Sequence, residues 1–232
     1  MQEPETCGVR NELVQAGRDY KYLLNRGYAP QGALDLVTSR YLLTKEERML
    51  LYRCIHPEKE AEEIRKKTVP VSSMRGKELV IDGYNALLTI ASAMEGRCLY
   101  LCDDGYVRDL RSAHIKDFGT PSITQAIDTL IQKITEIEPK HVTIYLDKNV
   151  SKSLHHKTQI EEKTRQHPNI EVKLATKADT QIMATKGIIS TSDIVILKKA
   201  HKTTDIAGTI VKEKHPDQIV NLTKLIQITN KI

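Results

Sequence analysis

The sequence predicts an α/β protein in which a mainly parallel sheet carries helices on both faces and follows a small all-helical domain. Residues 8–67 carry apolar side chains at helical spacing. From Glu78 onward, short apolar runs typical of strands alternate with helical segments, as in parallel sheets covered on both faces. Pro70-Val-Ser-Ser marks the change. We therefore expect a helical domain over residues 1–69 and an α/β domain over residues 70–232.

Three short helices are predicted in the first domain. The first ends at Asn25-Arg26-Gly27, where glycine takes the usual C-terminal position, and Pro30 can begin the second. Thr44-Lys-Glu-Glu47 is a capping-box pattern that opens the third. The charged run EKEAEEIRKK either extends this third helix or forms a solvated linker.

The α/β domain is expected to contain five strands in its parallel sheet. They are predicted at residues 76–82, 141–147, 170–176, 187–190 and 218–222. The runs RCLYLC and YVRDL, joined by Asp103-Asp104-Gly105, predict a hairpin, since Asp-Gly favours tight turns. The amphipathic segment SITQAIDTLIQKITEI and three further helical segments separate the later strands.

Composition predicts a soluble cytoplasmic protein. Hydrophobic residues make up 40% and charged residues 28% of the 232 residues, and no apolar stretch approaches the ~20 residues of a membrane span. The N-terminal run MQEPETCGVRNEL lacks the features of a secretory signal. The four cysteines (Cys7, Cys54, Cys98 and Cys102) form no CxxC pair, so we expect reduced thiols.

Arginine and tyrosine are concentrated in the first 75 residues, which hold eight of the twelve arginines and five of the nine tyrosines. These side chains suit contacts with RNA or with another protein surface, and they equally suit a tight helical core. Arg10, Arg18 and Arg26 are the arginines for which we expect RNA contacts. The net charge of +5 is too small to decide between these readings.

Four predicted strands deliver an aspartate at or just after their carboxyl ends: Asp82, Asp147, Asp179 and Asp193. Ligands of open α/β sheets bind at that edge. Taken singly, each acid could serve a turn or a helix cap. Taken together, they would repel one another by about a few kcal/mol per pair, which a divalent cation can offset. Oxygen ligands favour Mg²⁺ or Mn²⁺, and Asn85 adds a neutral oxygen or an amide donor.

Basic residues lie close to these acids in the chain. Lys148 and Lys152 follow Asp147, Lys177 precedes Asp179, and Lys198 follows Asp193. A basic surround about an acidic centre suits a metal site that acts on a polyanion, with the lysines holding substrate phosphates. Each lysine alone is equally typical of a solvated helix face.

The motifs IDGYN, YLD, KAD and STSD, in this order, resemble the PIN-like nucleases, including their NYN-type relatives. The runs RDYKYLLNRGY, ALDLVTSRYLLTKEERMLLYR, IDGYNALLTI and DDGYVRDL resemble a prokaryotic, largely archaeal family catalogued as domain of unknown function 434. This second resemblance covers nearly the whole chain and leaves its activity open.

The PIN-like resemblance implies that Asp82, Asp147, Asp179 and Asp193 bind the metal and that they and Asn85 form the catalytic site. The fourth motif reads STSDIVIL and lacks the usual SGDxDF ending. PIN-like proteins commonly add one more acid, for which Asp103, Asp104 and Asp109 of the predicted hairpin are candidates. Arg108 could hold a phosphate or pair with a neighbouring acid.

The function expected from these features is that of a metal-dependent endoribonuclease that cleaves RNA with metal-activated water. The alternative is a non-catalytic RNA- or protein-binding module, with the helical domain contacting the partner. A haloacid-dehalogenase-type phosphatase is disfavoured because Tyr84 stands where its second aspartate is needed. GxGxxG, Walker A and HExxH motifs do not occur.

Overall fold

The computed structural model describes residues 7–110 and 120–227. Its first part is all-helical, with α1 (Asn11–Asn25), α2 (Pro30–Tyr41), α3 (Lys45–Cys54) and α4 (Glu58–Lys67). The run EKEAEEIRKK is therefore a helix of its own, and both expectations for it were wrong. Pro57 lies between α3 and α4 and directly precedes α4. Because proline has no N–H with which to continue a helix, α3 does not extend through it.

The capping box that opens α3 is confirmed. The Thr44 hydroxyl accepts a hydrogen bond from the Glu47 N–H at 3.2 Å, and the Glu47 carboxylate accepts one from the Thr44 N–H at 2.8 Å. Two N–H groups that the helix leaves unpaired are thereby satisfied.

Strands and helices then alternate along the chain. In chain order they are β1 (Glu78–Asp82), α5 (Gly83–Met94), β2 (Leu99–Leu101), β3 (Val107–Arg108), α6 (Pro121–Ile137), β4 (His141–Asp147), α7 (Ser153–Lys163), β5 (Ile170–Ala175), α8 (Ala178–Ala184), β6 (Ile188–Ser190), α9 (Ile194–Lys199), β7 (Thr203–Thr204), α10 (Ile206–Lys214), β8 (Ile219–Asn221) and α11 (Leu222–Gln227). The predicted α/β class is confirmed.

The main sheet is parallel throughout, in the order β5-β4-β1-β6-β7. Side chains of β1 alternate between its two faces. Leu79 and Ile81 pack with α5, α6 and α10, whereas Val80 packs with α8 and α9 in a second cluster. Helices therefore cover both faces, and all five strands end at one edge.

Residues 218–222 were wrongly expected in this sheet. Strand β8 instead pairs in parallel with β2, which pairs with β3 in a separate sheet ordered β3-β2-β8. The predicted hairpin of β2 and β3 is confirmed. The fifth strand of the main sheet is β7, whose two threonines carry no alternating apolar pattern that would have predicted it.

The helical part shares its core with the second sheet. Its buried cluster includes Cys102 and Leu222, and Ile226 of α11 packs against it. The Arg18 guanidinium also donates to the carbonyls of Ile226 (3.0 Å) and Leu225 (3.3 Å). Residue 70 is therefore not a boundary between two separate cores.

Cys7 and Cys98 form a disulfide, although 91 residues separate them. The fold places their Cα atoms 5.5 Å apart, within the range that a disulfide spans. The expectation of four reduced thiols was therefore wrong for this pair. Cys54 and Cys102 are buried free thiols, and burial raises the pKa of Cys54 well above its usual range.

Among the described residues, no helix combines the length and the apolar character that crossing a membrane requires.

Candidate metal centre

The structure brings the four predicted aspartates to the carboxyl edge of the main sheet. Asp82 and Asp147 are the last residues of β1 and β4. Asp179 lies in the first turn of α8 after β5, and Asp193 precedes α9 after β6. We call these four residues the acidic rim. Because β5, β4, β1 and β6 are neighbours in this order, their parallel ends form one continuous edge.

Asp82 is the most strongly perturbed acid of the rim. Its side chain accepts hydrogen bonds from the Thr191 hydroxyl at 2.9 Å and from the Asn85 N–H at 3.4 Å. Its pKa is raised from 3.8 to about 7, chiefly by burial and also by the charges of Asp179 and Asp193, while the two hydrogen bonds act in the opposite direction. Asp82 is therefore harder to ionise than an ordinary aspartate.

Asp179 is exposed, and its pKa is also raised. The causes are partial burial, followed by the charges of Asp193 and Asp147. Asp179 and Asp82 thus both experience repulsion from other members of the rim. The acids converge closely enough to disfavour one another's ionisation.

Asp193 and Asp147 also serve as the helix cap and the turn residue that the sequence predicts as alternatives. Asp193 caps α9 by accepting from the N–H groups of Val195 (2.7 Å) and Ile196 (3.3 Å). Asp147 accepts from the Asn149 N–H at 2.8 Å. These bonds fix the two carboxylates in place, and a carboxylate oxygen has further lone pairs for a second partner.

The Asn85 side chain contacts the loop before Asp193. Its amide oxygen accepts from the Ser192 N–H at 2.8 Å, and its amide nitrogen lies 3.0 Å from the Ser192 hydroxyl. Both ends of the amide hold the loop before Asp193, so Asn85 is a positioning residue. Thr191 adds to this, since its hydroxyl donates to Asp82 and accepts from the Asp193 N–H at 3.1 Å. Thr191 and Ser192 were not predicted as site residues, although they belong to the STSD motif.

Of the two roles considered for Arg108, a phosphate contact and a salt bridge, the structure shows the salt bridge. Arg108 is only 1% exposed and makes two bonds to Asp104, at 2.9 and 2.5 Å. Its Nε donates to the Ser192 carbonyl at 2.8 Å. Asp104 was a candidate additional acid, and it is engaged by a buried cation instead. Asp109 is buried and accepts from the Thr89 hydroxyl at 3.2 Å on α5.

His56, Asp103 and Asp104 form a second group of polar side chains. Among the described residues, they are the one set of three His, Cys, Asp or Glu ligands whose atoms all lie within 4.8 Å of one another. Cations already neutralise this group: Asp103 contacts His56 Nδ1 at 2.7 Å and Lys21 at 2.8 Å, and Asp104 pairs with Arg108. Burial raises the pKa of Asp103, but the bond and charge of His56 and the charge of Lys21 outweigh it, and the pKa is lowered overall. A metal here would have to displace Lys21 and Arg108.

The predicted lysines divide into two sets. Lys148, Lys152 and Lys177 are exposed in the loops beside the rim. Lys198 pairs with Glu60 of α4 at 2.6 Å, an exposed ion pair from which a phosphate could still recruit it.

Two of the three arginines proposed for RNA have structural roles. Arg10 bonds Glu47 of the capping box, at 2.8 Å to one oxygen, and Arg18 holds the carbonyls of α11. Arg26 lies over the ring of Tyr22, 5.3 Å from its centre. Arg10 and Arg18 therefore hold parts of the fold together.

The donor set of the acidic rim is that of a hard divalent cation. It consists of carboxylate oxygens, which Mg²⁺ and Mn²⁺ prefer, and it provides neither thiolate nor imidazole. A cation would offset the mutual repulsion that raises the pKa of Asp82 and Asp179. No three of the four rim carboxylates bring oxygens within 4.8 Å of one another, so a cation held by three or more of them would require the side chains to move closer.

Comparison with known proteins places the chain in a family without an assigned activity. Residues 71–209 match "Domain of unknown function (DUF5616)", and residues 12–67 match "Protein of unknown function (DUF434)". The expected likeness to the latter is thereby confirmed for the helical part. "Uncharacterized protein MJ0935" of Methanocaldococcus jannaschii is 33% identical over 186 residues, which cover 80% of this chain and 89% of that protein. No solved structure matches the chain. The chain therefore belongs to the DUF5616 family, with a DUF434 region preceding the family's domain.

Proposed function

We propose that the acidic rim binds Mg²⁺ or Mn²⁺ and that the protein is a PIN-like, metal-dependent ribonuclease. The observation that carries the proposal is the electrostatic state of the rim. Asp82 and Asp179 have raised pKa values, and other rim carboxylates are among the causes. Such a cluster is costly to the fold and is typical of a functional site.

The residues of the rim have distinct parts in this proposal. Asp82, Asp147, Asp179 and Asp193 would hold the cation. When bound, the cation would supply Lewis-acid stabilisation of the phosphate and lower the pKa of water. Thr191 orients the Asp82 carboxylate.

The surroundings of the rim fit a polyanionic substrate. Lys148, Lys152 and Lys177 are exposed beside the carboxylates, where they can lower the cost of bringing a phosphate to an acidic edge. An RNA substrate would also agree with the cytoplasmic location that we propose for the protein.

Cleavage of a fluorescently labelled RNA oligonucleotide tests the proposal. The protein should cleave it with Mg²⁺ or Mn²⁺ and not with EDTA. Asp82→Asn and Asp179→Asn should each lower the rate at least about 100-fold, more than the loss of an outer-shell contact. Asp217→Asn is the matched control, since Asp217 is exposed and belongs to the short turn before β8. Cleavage by Asp82→Asn at the wild-type rate would reject the assignment.

A metal titration provides an independent readout. Mn²⁺ should raise the Tm of the wild-type protein and of Asp217→Asn, and it should leave that of Asp82→Asn nearly unchanged. Equal stabilisation of all three proteins would place the metal elsewhere.

The second candidate function is a protein-binding module. Six large apolar side chains are exposed between residues 22 and 52: Tyr22, Tyr28, Leu36, Leu42, Met49 and Tyr52. This concentration on the helical part favours a protein partner there, whether or not the rim is catalytic. If this were the only function, the protein would not cleave the RNA oligonucleotide, either with or without metal and in both the wild type and Asp82→Asn.

A further inference from the structure

A groove beside the acidic rim has no assigned role. It lies along β5, the edge strand of the main sheet, and its volume is about 810 Å³. This volume lies within the range of pockets that hold a medium-sized organic ligand. The groove is open to solvent and is not an enclosed cavity, so a ligand can enter it from the surface.

The charge of the groove is positive. Its lining contains Lys157, Lys173 and Lys177 and no carboxylate. Lys157 and Lys173 pair with Glu161 and Glu171, which lie outside the lining. Exposed pairs of this kind are worth only about 0–1 kcal/mol, so a polyanion can compete for both lysines.

One end of the groove opens at the acidic rim. Ala175 of its lining is paired with Asp147 across β4 and β5. Thr176, also in the lining, accepts a hydrogen bond from the Asn149 side chain at 3.2 Å, two residues beyond Asp147. Lys177 directly precedes α8, whose first turn holds Asp179. A chain in the groove would therefore arrive between Asp147 and Asp179.

The lining also includes apolar side chains, of which Leu174 and Ala175 are partly exposed, whereas Tyr145 and Val172 are buried. A nucleic-acid duplex hides the faces of its bases and offers a protein mainly phosphates and sugars. A single strand exposes base faces that can lie on apolar and aromatic surfaces while its phosphates contact lysines. The combination in this groove thus favours an unpaired strand.

We propose that the β5 groove binds a single-stranded polynucleotide and leads it to the acidic rim. Lys157, Lys173 and Lys177 contact its phosphates. The part of this inference that leads the strand to the acidic rim rests on the proposed ribonuclease function. Binding of the strand to the groove can be measured without any cleavage.

The test is binding of a labelled 12-nucleotide RNA in EDTA, followed by fluorescence anisotropy at several salt concentrations. Lys173→Gln/Lys177→Gln should raise the Kd about tenfold and reduce the salt dependence (log K against log salt) by about 1.4, at ~0.7 per phosphate contact. The matched control is Lys77→Gln/Lys140→Gln, which removes the same charge from the opposite end of β1 and β4. It should bind like the wild type.

Three results would overturn the groove assignment: unchanged affinity in Lys173→Gln/Lys177→Gln, an equal loss in the control pair, or equally tight binding of the RNA duplex. Because EDTA prevents metal-dependent cleavage, these results are independent of activity. If the protein binds the single strand through these lysines but does not cleave it with Mn²⁺, the groove assignment stands and the ribonuclease proposal is rejected.

Discussion

Asp82→Asn should stabilise the protein at neutral pH when divalent cations are absent. The folded state holds the Asp82 pKa at about 7, against an ordinary value of 3.8, chiefly through burial. Below about pH 4 the carboxyl is protonated in both the folded and the unfolded state, so it makes no difference to stability. Between pH 4 and pH 7 the unfolded chain ionises first, and the folded state becomes less favourable as the pH rises.

The size of this effect follows from the two pKa values. At about 1.4 kcal/mol per pH unit, the change from 3.8 to about 7 gives an upper bound of about 4 kcal/mol above pH 7. Asparagine retains an oxygen for the Asn85 N–H, and the Thr191 hydroxyl can accept from its amide. We therefore expect Asp82→Asn to gain about 2 kcal/mol or more at pH 8 and little at pH 4.5.

Urea unfolding in EDTA at pH 4.5, 6 and 8 measures this difference. Asp217→Asn should differ from the wild type by less than about 0.5 kcal/mol at each pH, as is usual for surface changes. Addition of Mg²⁺ should reduce the advantage of Asp82→Asn by stabilising the wild type alone. An Asp82→Asn protein that is less stable than the wild type, by the same amount at pH 4.5 and pH 8, would refute the electrostatic reasoning.

Four further predictions concern the fold and can be checked by urea unfolding. Gly83→Ala should cost about 1–3 kcal/mol, since a Cβ there would lie 2.8 Å from a backbone oxygen of β4. Gly32→Ala in α2 should instead stabilise by up to about 1 kcal/mol, because nothing lies within 4 Å of its Cβ; a loss there would contradict the steric argument. Thr44→Ala should cost about 1 kcal/mol through loss of the capping box, and an unchanged midpoint would mean that α3 does not depend on it. Arg108→Met should cost about 3–5 kcal/mol by leaving Asp104 buried and unpaired; a comparable cost for the double change Arg108→Met/Asp104→Leu would show that packing, not charge, is responsible.

The rim could be predicted from the sequence because each step of the argument was local. A strand is visible in its apolar run, and an aspartate at the end of a parallel strand has only one edge of the sheet at which to lie. Asp82 and Asp147 needed no knowledge of distant residues. Asp179 and Asp193 were additionally marked by the helices that begin beside them.

The contacts that organise the rim could not be predicted in this way. Asn85 and Ser192 are 107 residues apart, and only the pairing of β1 with β6 brings them together. The buried contact between Arg108 and the Ser192 carbonyl likewise depends on where the hairpin packs. Strand β8 shows the same limit, because its apolar run predicts a strand and contains no information about which sheet it joins.

The hydrogen bonds from Arg18 to the main-chain carbonyls of α11 bear on whether the protein can be divided into two fragments. Cutting the polypeptide at residue 70 would strip α1 of Ile226, whose side chain closes over Gly17, and would uncover Leu222 in the other fragment. Each fragment alone would expose apolar side chains that are buried in the intact protein. When the two fragments are mixed, we expect them to reassociate. The region matching DUF434 thus behaves as an integral layer of the protein rather than a detachable module.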